Sequence, residues 1–257
     1  MISRRAVVIK SPHEIEIMQK AGRINALALA TVKDMIRPGI TTVELDRAAS
    51  EVIQKNGAIP AFKGYPGPYP FPATITVSIN EELVHGVPGK RKLKEGDIVS
   101  IDCGTILDGY VADSAITVGV GKISPAAEHL LKVTEEALYL GVSKMVAGNR
   151  VGDVSAEIQK HVEGHGYHVP REYTGHGVGR EMHEGPNVPN YGVKGRGLLL
   201  KRGITIALEP MVLIGTHETK VLDDDWTVVS ADGSLTAHFE HSIAVMDGEP
   251  LLLTVTD

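Results

Sequence analysis

A single cysteine, Cys103, is all the thiol the 257-residue chain contains, and aromatic residues make up only 4% of it. One cysteine excludes an internal disulfide and fits a reducing compartment; among β-forming neighbours it reads as a small strand residue. Long hydrophobic runs are absent, so no membrane-spanning segment is predicted. Arg4-Arg5 is followed by only four apolar residues, Ala6 to Ile9, before Lys10, too few for a signal-peptide core. The expectation is a cytoplasmic protein, neither exported nor membrane-anchored. Positive charge is also short: 26 basic against 32 acidic side chains leave −6, without the basic footprint of a protein that acts on nucleic acid. What is present, 42% apolar residues over a length suited to one large domain or two small ones, describes a globular chain with a substantial core.

Ser11-Pro12-His13-Glu14 combines an N-cap serine, a proline at the first helical position and a capping-box glutamate. Ile15, Met18, Ile24, Ala28 and Val32 then keep helical spacing until Pro38-Gly39. Thr41 with Glu44 opens a second helix whose stripe is Leu45, Ala49, Val52 and Ile53, closed by Asn56-Gly57. Between Ala61 and Pro72, Gly64, Pro66, Gly67, Pro68 and Pro70 are interleaved with Phe62, Tyr65, Tyr69 and Phe71, which predicts a loop with an aromatic lining. A strand over Ile75 to Ile79 leads to the turn-rich His85-Gly86-Val87-Pro88.

The stretch from Gly96 to Thr117 reads as a β-hairpin turning at Leu107-Asp108-Gly109. With its midpoint near Leu107, Asp102 and Asp113 are expected to face each other across the two strands. Like charges in that position destabilise a ladder unless a proton or a cation lies between them.

The second half replays this order. Ser124-Pro125 stands 113 residues after Ser11-Pro12, Val154, Ile158 and Val162 stand 109 after Leu45, Ala49 and Ile53, and Lys201-Arg202-Gly203…Glu209 echoes Lys94-Glu95-Gly96…Asp102 at an offset of 107. Such spacing predicts two related α-α-β-β halves, roughly 11–120 and 124–250, fused into one domain. Glu209 ends a strand Ile204 to Leu208, Glu240 lies within a strand Leu235 to Val245, and these two acids are expected to pair as Asp102 and Asp113 do. Four carboxylates in one pocket cannot be buried without cations. In the Gly- and Pro-rich segment Tyr173 to Tyr191, read as irregular backbone, His176 stands between two glycines and is the favoured imidazole ligand. Asp102, Asp113, His176, Glu209 and Glu240 then form a dinuclear set, with Asp113 and Glu240 bridging ions roughly 3.5–4 Å apart, of the kind that activates water for hydrolysis. His85 and His183 are assigned to the substrate, to donate to a scissile carbonyl oxygen or carry a proton to the departing amine. The three aspartates at 223–225 read as a solvated turn, and His129, His161 and His217 as structural or solvated.

With these residues in place, the chain resembles the type I methionine aminopeptidases of the short bacterial kind, most specifically through Gly175-His176-Gly177-Val178-Gly179 with His183, Asn190 and Tyr191. The resemblance spans Ser11 to Leu252. It implies an α+β pita-bread fold, two pseudo-symmetric halves of antiparallel sheet flanked by helices, making one catalytic domain over 1–257. It assigns the five metal ligands and the two substrate histidines named above and gives Glu209 the proton of the attacking water. Tyr65, Met182 and Trp226 match positions lining a methionine pocket, with Tyr69 or Phe71 as a further wall. It further implies two divalent ions (Co, Mn, Fe, Zn or Ni), nascent polypeptide N-termini as substrates when the second residue is small, a possible encounter at the ribosome, and a monomer. Departures are the proline-rich loop Tyr65 to Thr74, and Thr76 and Val84 where some relatives carry cysteine. Two rival readings remain: an Xaa-Pro aminopeptidase or prolidase, which shares the ligands, and a non-catalytic pita-bread binding protein, which typically has lost some of them.

Overall fold

The computed structural model of the chain describes residues 6–256. Its first helix, α1 (Pro12–Met35), starts where the capping box places it: the Glu14 carboxylate accepts from the Ser11 backbone N–H at 2.8 Å, and Ser11 Oγ accepts from Glu14 N–H. It buries Ile15, Met18, Ala21, Gly22, Asn25, Ala28, Leu29 and Val32, one continuous stripe. Helix α2 (Thr42–Lys55) follows with Leu45, Ala49 and Ile53 inward. Helix α3 (Pro125–Val142) is capped by Ser124, and α4 (Val151–Gly164) by the Asp153 carboxylate on the Arg150 N–H. The two helix pairs begin 113 (125 − 12) and 109 (151 − 42) residues apart.

These helices pack on a nine-stranded antiparallel sheet. Its central path runs Ile59–Pro60, Ile98–Leu107, Tyr110–Gly119, Glu240–Ala244, Thr205–Leu208, Gly175–Gly177, Glu184–Val188, with Ile75–Ile79 also on Ile98–Leu107 and Leu251–Leu252 on Glu240–Ala244. The long hairpin and the pair formed by Thr205–Leu208 and Glu240–Ala244 meet at the middle of the sheet, where His241 opposes Ser114 and Glu240 opposes Ala115. Val99, Ile101 and Cys103 join the apolar core with Leu45 and Ile53 of α2, so the alternate residues Ser100, Asp102 and Gly104 face the other side. Val154, Ile158 and Val162 of α4 with Ile206 and Leu208 form the matching core of the second half.

Three expectations need correction. Asp102 and Asp113 are not directly opposite: the hairpin closes in a two-residue turn at Asp108-Gly109, both at positive φ (49° and 77°), so Asp102 pairs with Ala115 and Asp113 with Gly104. The midpoint shifts by one residue, which makes the two acids diagonal neighbours on one face. The strand expected over Leu235 to Val245 is two strands in different sheets. Thr236–His238 pairs with Met211–Leu213, and the chain bends at Phe239, whose N–H donates to Pro210 O, before Glu240–Ala244 enters the large sheet. The segment around His176 contains the regular strands Gly175–Gly177 and Glu184–Val188. Its glycines admit neighbouring backbone: a Cβ on Gly177 would lie 2.1 Å from Gly185 O.

Asn25 ties α1 to the hairpin from a fully buried position. Its Nδ2 donates to Cys103 O and Ala112 O, and its Oδ1 accepts from Ser114 Oγ. Asn25→Ala leaves those buried partners unsatisfied and is expected to lower unfolding free energy by about 1–3 kcal/mol in urea titrations; an unchanged midpoint would show that the bonds contribute nothing.

Candidate metal centre

Sheet register brings the five expected ligands onto two adjacent cross-strand rows of one face. Asp102 opposes Ala115, Ala115 opposes Glu240, and one step beyond the last paired residues, His241 with Leu208, Glu209 comes opposite Glu240. The neighbouring row runs through Asp113 and Ser242, whose Oγ accepts from the Asp113 N–H at 2.9 Å, then through Ala207, which pairs with both Ser242 and His176. Rows two residues apart point the same way. Between the ligands the positions are small and buried, Ala115, Ser242 and Ala207, so the longer acid side chains lean over them and converge.

The convergence is tight. His176 Nε2 lies 3.8 Å from Asp113 Oδ2 and 3.4 Å from Glu209 Oε1, and ligand atoms of Asp113, His176 and Glu240 fall within 4.8 Å of one another. Burial, with the charges of its neighbours adding to it, pushes the carboxyls of Asp102 and Glu240 well above the usual carboxylate range, and burial and Asp113 do the same to Glu209. Burial raises Asp113 to about 7, against the hydrogen bonds that oppose it. Asp102 Oδ1, Asp113 Oδ1 and Glu240 Oε1 are buried without a hydrogen-bond partner. Acids that resist ionisation, and anionic oxygens with no donor, are what a divalent cation satisfies. With one imidazole among oxygen donors, the set fits first-row transition ions.

Around this cluster lies a cavity of about 140 Å³, walled by Phe62, Tyr65, Phe71, Thr76, Met182 and Trp226, with His85 and His183 also at its edge. The wall is assembled from distant segments. Gly104, opposite Asp113, has no room for a Cβ because Met182 Cε, Phe62 and Ala61 would lie under 3 Å away. Trp226 stacks edge-on with Phe71 at 5.1 Å between ring centres and closes over Gly67, where a Cβ would meet the indole at 2.4 Å. The turn at 223–225 is more than solvated: Asp224 accepts from the Trp226 and Thr227 N–H groups and so holds the indole in place. Tyr69, by contrast, is exposed, and its hydroxyl donates to Asp224 O, so Phe71 is the wall and Tyr69 is not.

His183 is packed against His176, 4.3 Å between ring centres, and its Nδ1 is 2.6 Å from the Tyr65 hydroxyl. His85 sits at φ 61°, edge-on to Tyr173 and Trp226, and burial lowers its pKa to about 4. Both histidines also border a more open groove of about 400 Å³ that reaches Glu209, Glu172 and Tyr173. His238 was not singled out by sequence, and Phe62 and Thr76, noted there as a loop aromatic and as a departure from relatives, were not assigned to the site. His238 Nε2 lies 3.6 Å from Glu209 Oε2 and 3.8 Å from Glu240 Oε2. Its spacing of two from Glu240 was the available signal, obscured because the bend at Phe239 breaks the alternation.

Residues 16–247 match metallopeptidase family M24. The methionine aminopeptidase of Clostridium acetobutylicum is 51% identical over 252 residues, covering 98% of this chain and all of that protein. The crystal structure of methionine aminopeptidase from Thermotoga maritima superposes with TM-score 0.94 at 46% identity, covering 97% of this chain and 99% of that one. The prolidase of Pyrococcus furiosus, at 24% identity and TM-score 0.78, shares the fold; this chain covers 66% of it.

A carboxyl raised in the folded state contributes stability that is complete below its unfolded pKa and lost as pH rises to its folded one. For Asp113 that window runs from 3.8 to about 7. Saturating Mn²⁺ is therefore expected to raise the Tm of EDTA-treated protein far more at pH 8, where Asp113 is already ionised, than at pH 5, where its proton has to be displaced. A metal-induced shift equal at both pH values, read by scanning calorimetry, would mean the acids do not share a desolvated site.

Proposed function

The chain belongs to metallopeptidase family M24, and on that premise we propose that Asp102, Asp113, His176, Glu209 and Glu240 hold its metal and that His85 and His183 handle its substrate. The enzyme removes the N-terminal methionine of proteins. The observation that carries the assignment of residues is the pair of sheet rows that bring four acids and one imidazole together beside a small apolar cavity.

These five residues would hold two divalent ions, drawn from Co, Mn, Fe, Zn or Ni, which would supply Lewis-acid activation of water and of the scissile carbonyl. The protein's own groups do the rest. Glu209 takes the proton of the attacking water: its side chain is 13% exposed against 5% for Asp113 and 2% for Glu240, and it alone of the four acids borders the open groove. The methionine side chain enters the cavity against Tyr65, Met182, Phe71 and Trp226, a flexible thioether against aromatic faces. The cavity, about 140 Å³, has room for the N-terminal side chain alone. His85 and His183, shared between cavity and groove, flank the scissile bond, and the Tyr65 hydroxyl on Nδ1 orients the His183 ring. They donate to the carbonyl oxygen and pass a proton to the departing amine. The remaining chain, with a small second residue, leaves along the groove.

The reading takes residues 1–257 as a single catalytic domain of two half-repeats, roughly 11–120 and 124–250. It places a monomer in the cytoplasm, meeting nascent chains at the ribosome; no helix among the described residues is long and apolar enough to cross a membrane.

Purified, metal-reconstituted protein is expected to release methionine from Met-Ala-Ser and to leave Ala-Pro peptides largely intact; preference for Ala-Pro would replace this reading with a prolidase. Glu240→Ala is expected to lose both bound metal, by elemental analysis, and turnover. His183→Ala should keep its metal and lose about 10²–10⁴-fold in kcat, and metal loss in that variant would move His183 from the substrate to the ligand set.

A further inference from the structure

The metal site has an imidazole that neither the five ligands nor the two substrate histidines account for. His238 is 2% exposed, and its backbone is clamped: its N–H donates to Thr117 Oγ1 at 2.9 Å, and its carbonyl accepts from the same hydroxyl at 2.7 Å. Thr117 is held in turn by Ser100 at 2.9 Å. Thr236–His238 belongs to the two-stranded sheet with Met211–Leu213, which lies between the two glutamates in sequence: Glu209 precedes Met211 by two residues and Glu240 follows His238 by two. The His238 backbone is thus held from two sides, by its own two-stranded sheet and by Thr117 and Ser100 of the large sheet that carries the ligands.

From this fixed position Nε2 addresses one oxygen of each glutamate, Glu209 Oε2 at 3.6 Å and Glu240 Oε2 at 3.8 Å, and is itself buried without a hydrogen-bond partner. Of the opposite oxygens, Glu209 Oε1 is turned to the cluster, 3.4 Å from His176, and Glu240 Oε1 is buried with no donor. We infer that His238 is a positioning residue, whose Nε2–H donates to the outer oxygen of Glu209 or Glu240 and so presents their inner oxygens to the metal. The separations are just beyond hydrogen-bond reach, and a small turn of either carboxylate closes them. A neutral donor suits the site, because two divalent ions balance four carboxylates and a further cation would compete with them. Hydrogen bonds to ligating carboxylates are the usual way a protein orders them, and their loss costs metal affinity about 10–100-fold.

The inference rests on the metallopeptidase reading and is tested by metal binding, independently of methionine release. Titration calorimetry with Mn²⁺ on EDTA-treated protein should show His238→Leu binding about 10–100-fold more weakly than wild type. His238→Gln, whose amide offers a donor of similar reach, should bind within about threefold of wild type and leave the visible absorption of the Co²⁺ protein unchanged. If His238→Leu fails to fold, His238→Met serves as the donor-free variant. Undiminished affinity without the donor would overturn the proposal. So would a glutamine variant as weak as the leucine one with an altered Co²⁺ spectrum, because His238 would then be a direct ligand. Wild type that binds metal but releases no methionine would instead count against the function and leave His238 decided by the titration.

Discussion

Mutual repulsion among four desolvated carboxylates is the constraint on which the rest of this structure depends. Asp102, Asp113, Glu209 and Glu240 are brought together by sheet register, and burial pushes each of them toward its protonated form. Removing such groups from water is unfavourable by several kcal/mol each unless positive charge answers them. The fold makes the arrangement tolerable by surrounding it with rigid structure. The helix pairs bury apolar stripes against the back of the sheet, Asn25 fixes the hairpin from α1, and alternation along the strands sends the acids to the opposite face.

Strand order explains how so many acids reach one place. A hairpin alone gives two, and its own strands would separate them from any others. Joining two such units edge to edge, Tyr110–Gly119 against Glu240–Ala244, puts the second pair one strand away from the first, with small residues between to leave room. His176 enters from the strand on the far side of Thr205–Leu208, and with Asp102 and Asp113 from the hairpin the candidate metal centre straddles the junction. The cavity wall is added from outside the sheet. The aromatic loop after Ala61, the turn that Asp224 braces under Trp226, and Met182 beside His183 all come from connecting segments. The acid cluster thus lies on the rigid sheet and the cavity wall on the loops, within a fold that a prolidase shares.

The sequence by itself determined the helices, the hairpin that carries Asp102 and Asp113, and the identity of the acids that converge. Capping boxes, period-3.6 stripes and spaced acids are local patterns, and local patterns survive being read one residue at a time. Tertiary structure alone decided the rest. The shift of Asp102 from opposite Asp113 to opposite Ala115 turned on whether Asp108 and Gly109 both adopt positive φ, a choice fixed by the strands they join. The bend at Phe239 hid His238, since alternation predicts a shared face only while a strand stays in one sheet. That Phe71 and not Tyr69 walls the cavity, and that Asp224 supports the indole, depends on where two loops 150 residues apart meet (Tyr69 to Asp224, |i − j| = 155). Contacts between remote segments are set by the shape of the packed core, and no spacing along the chain encodes them.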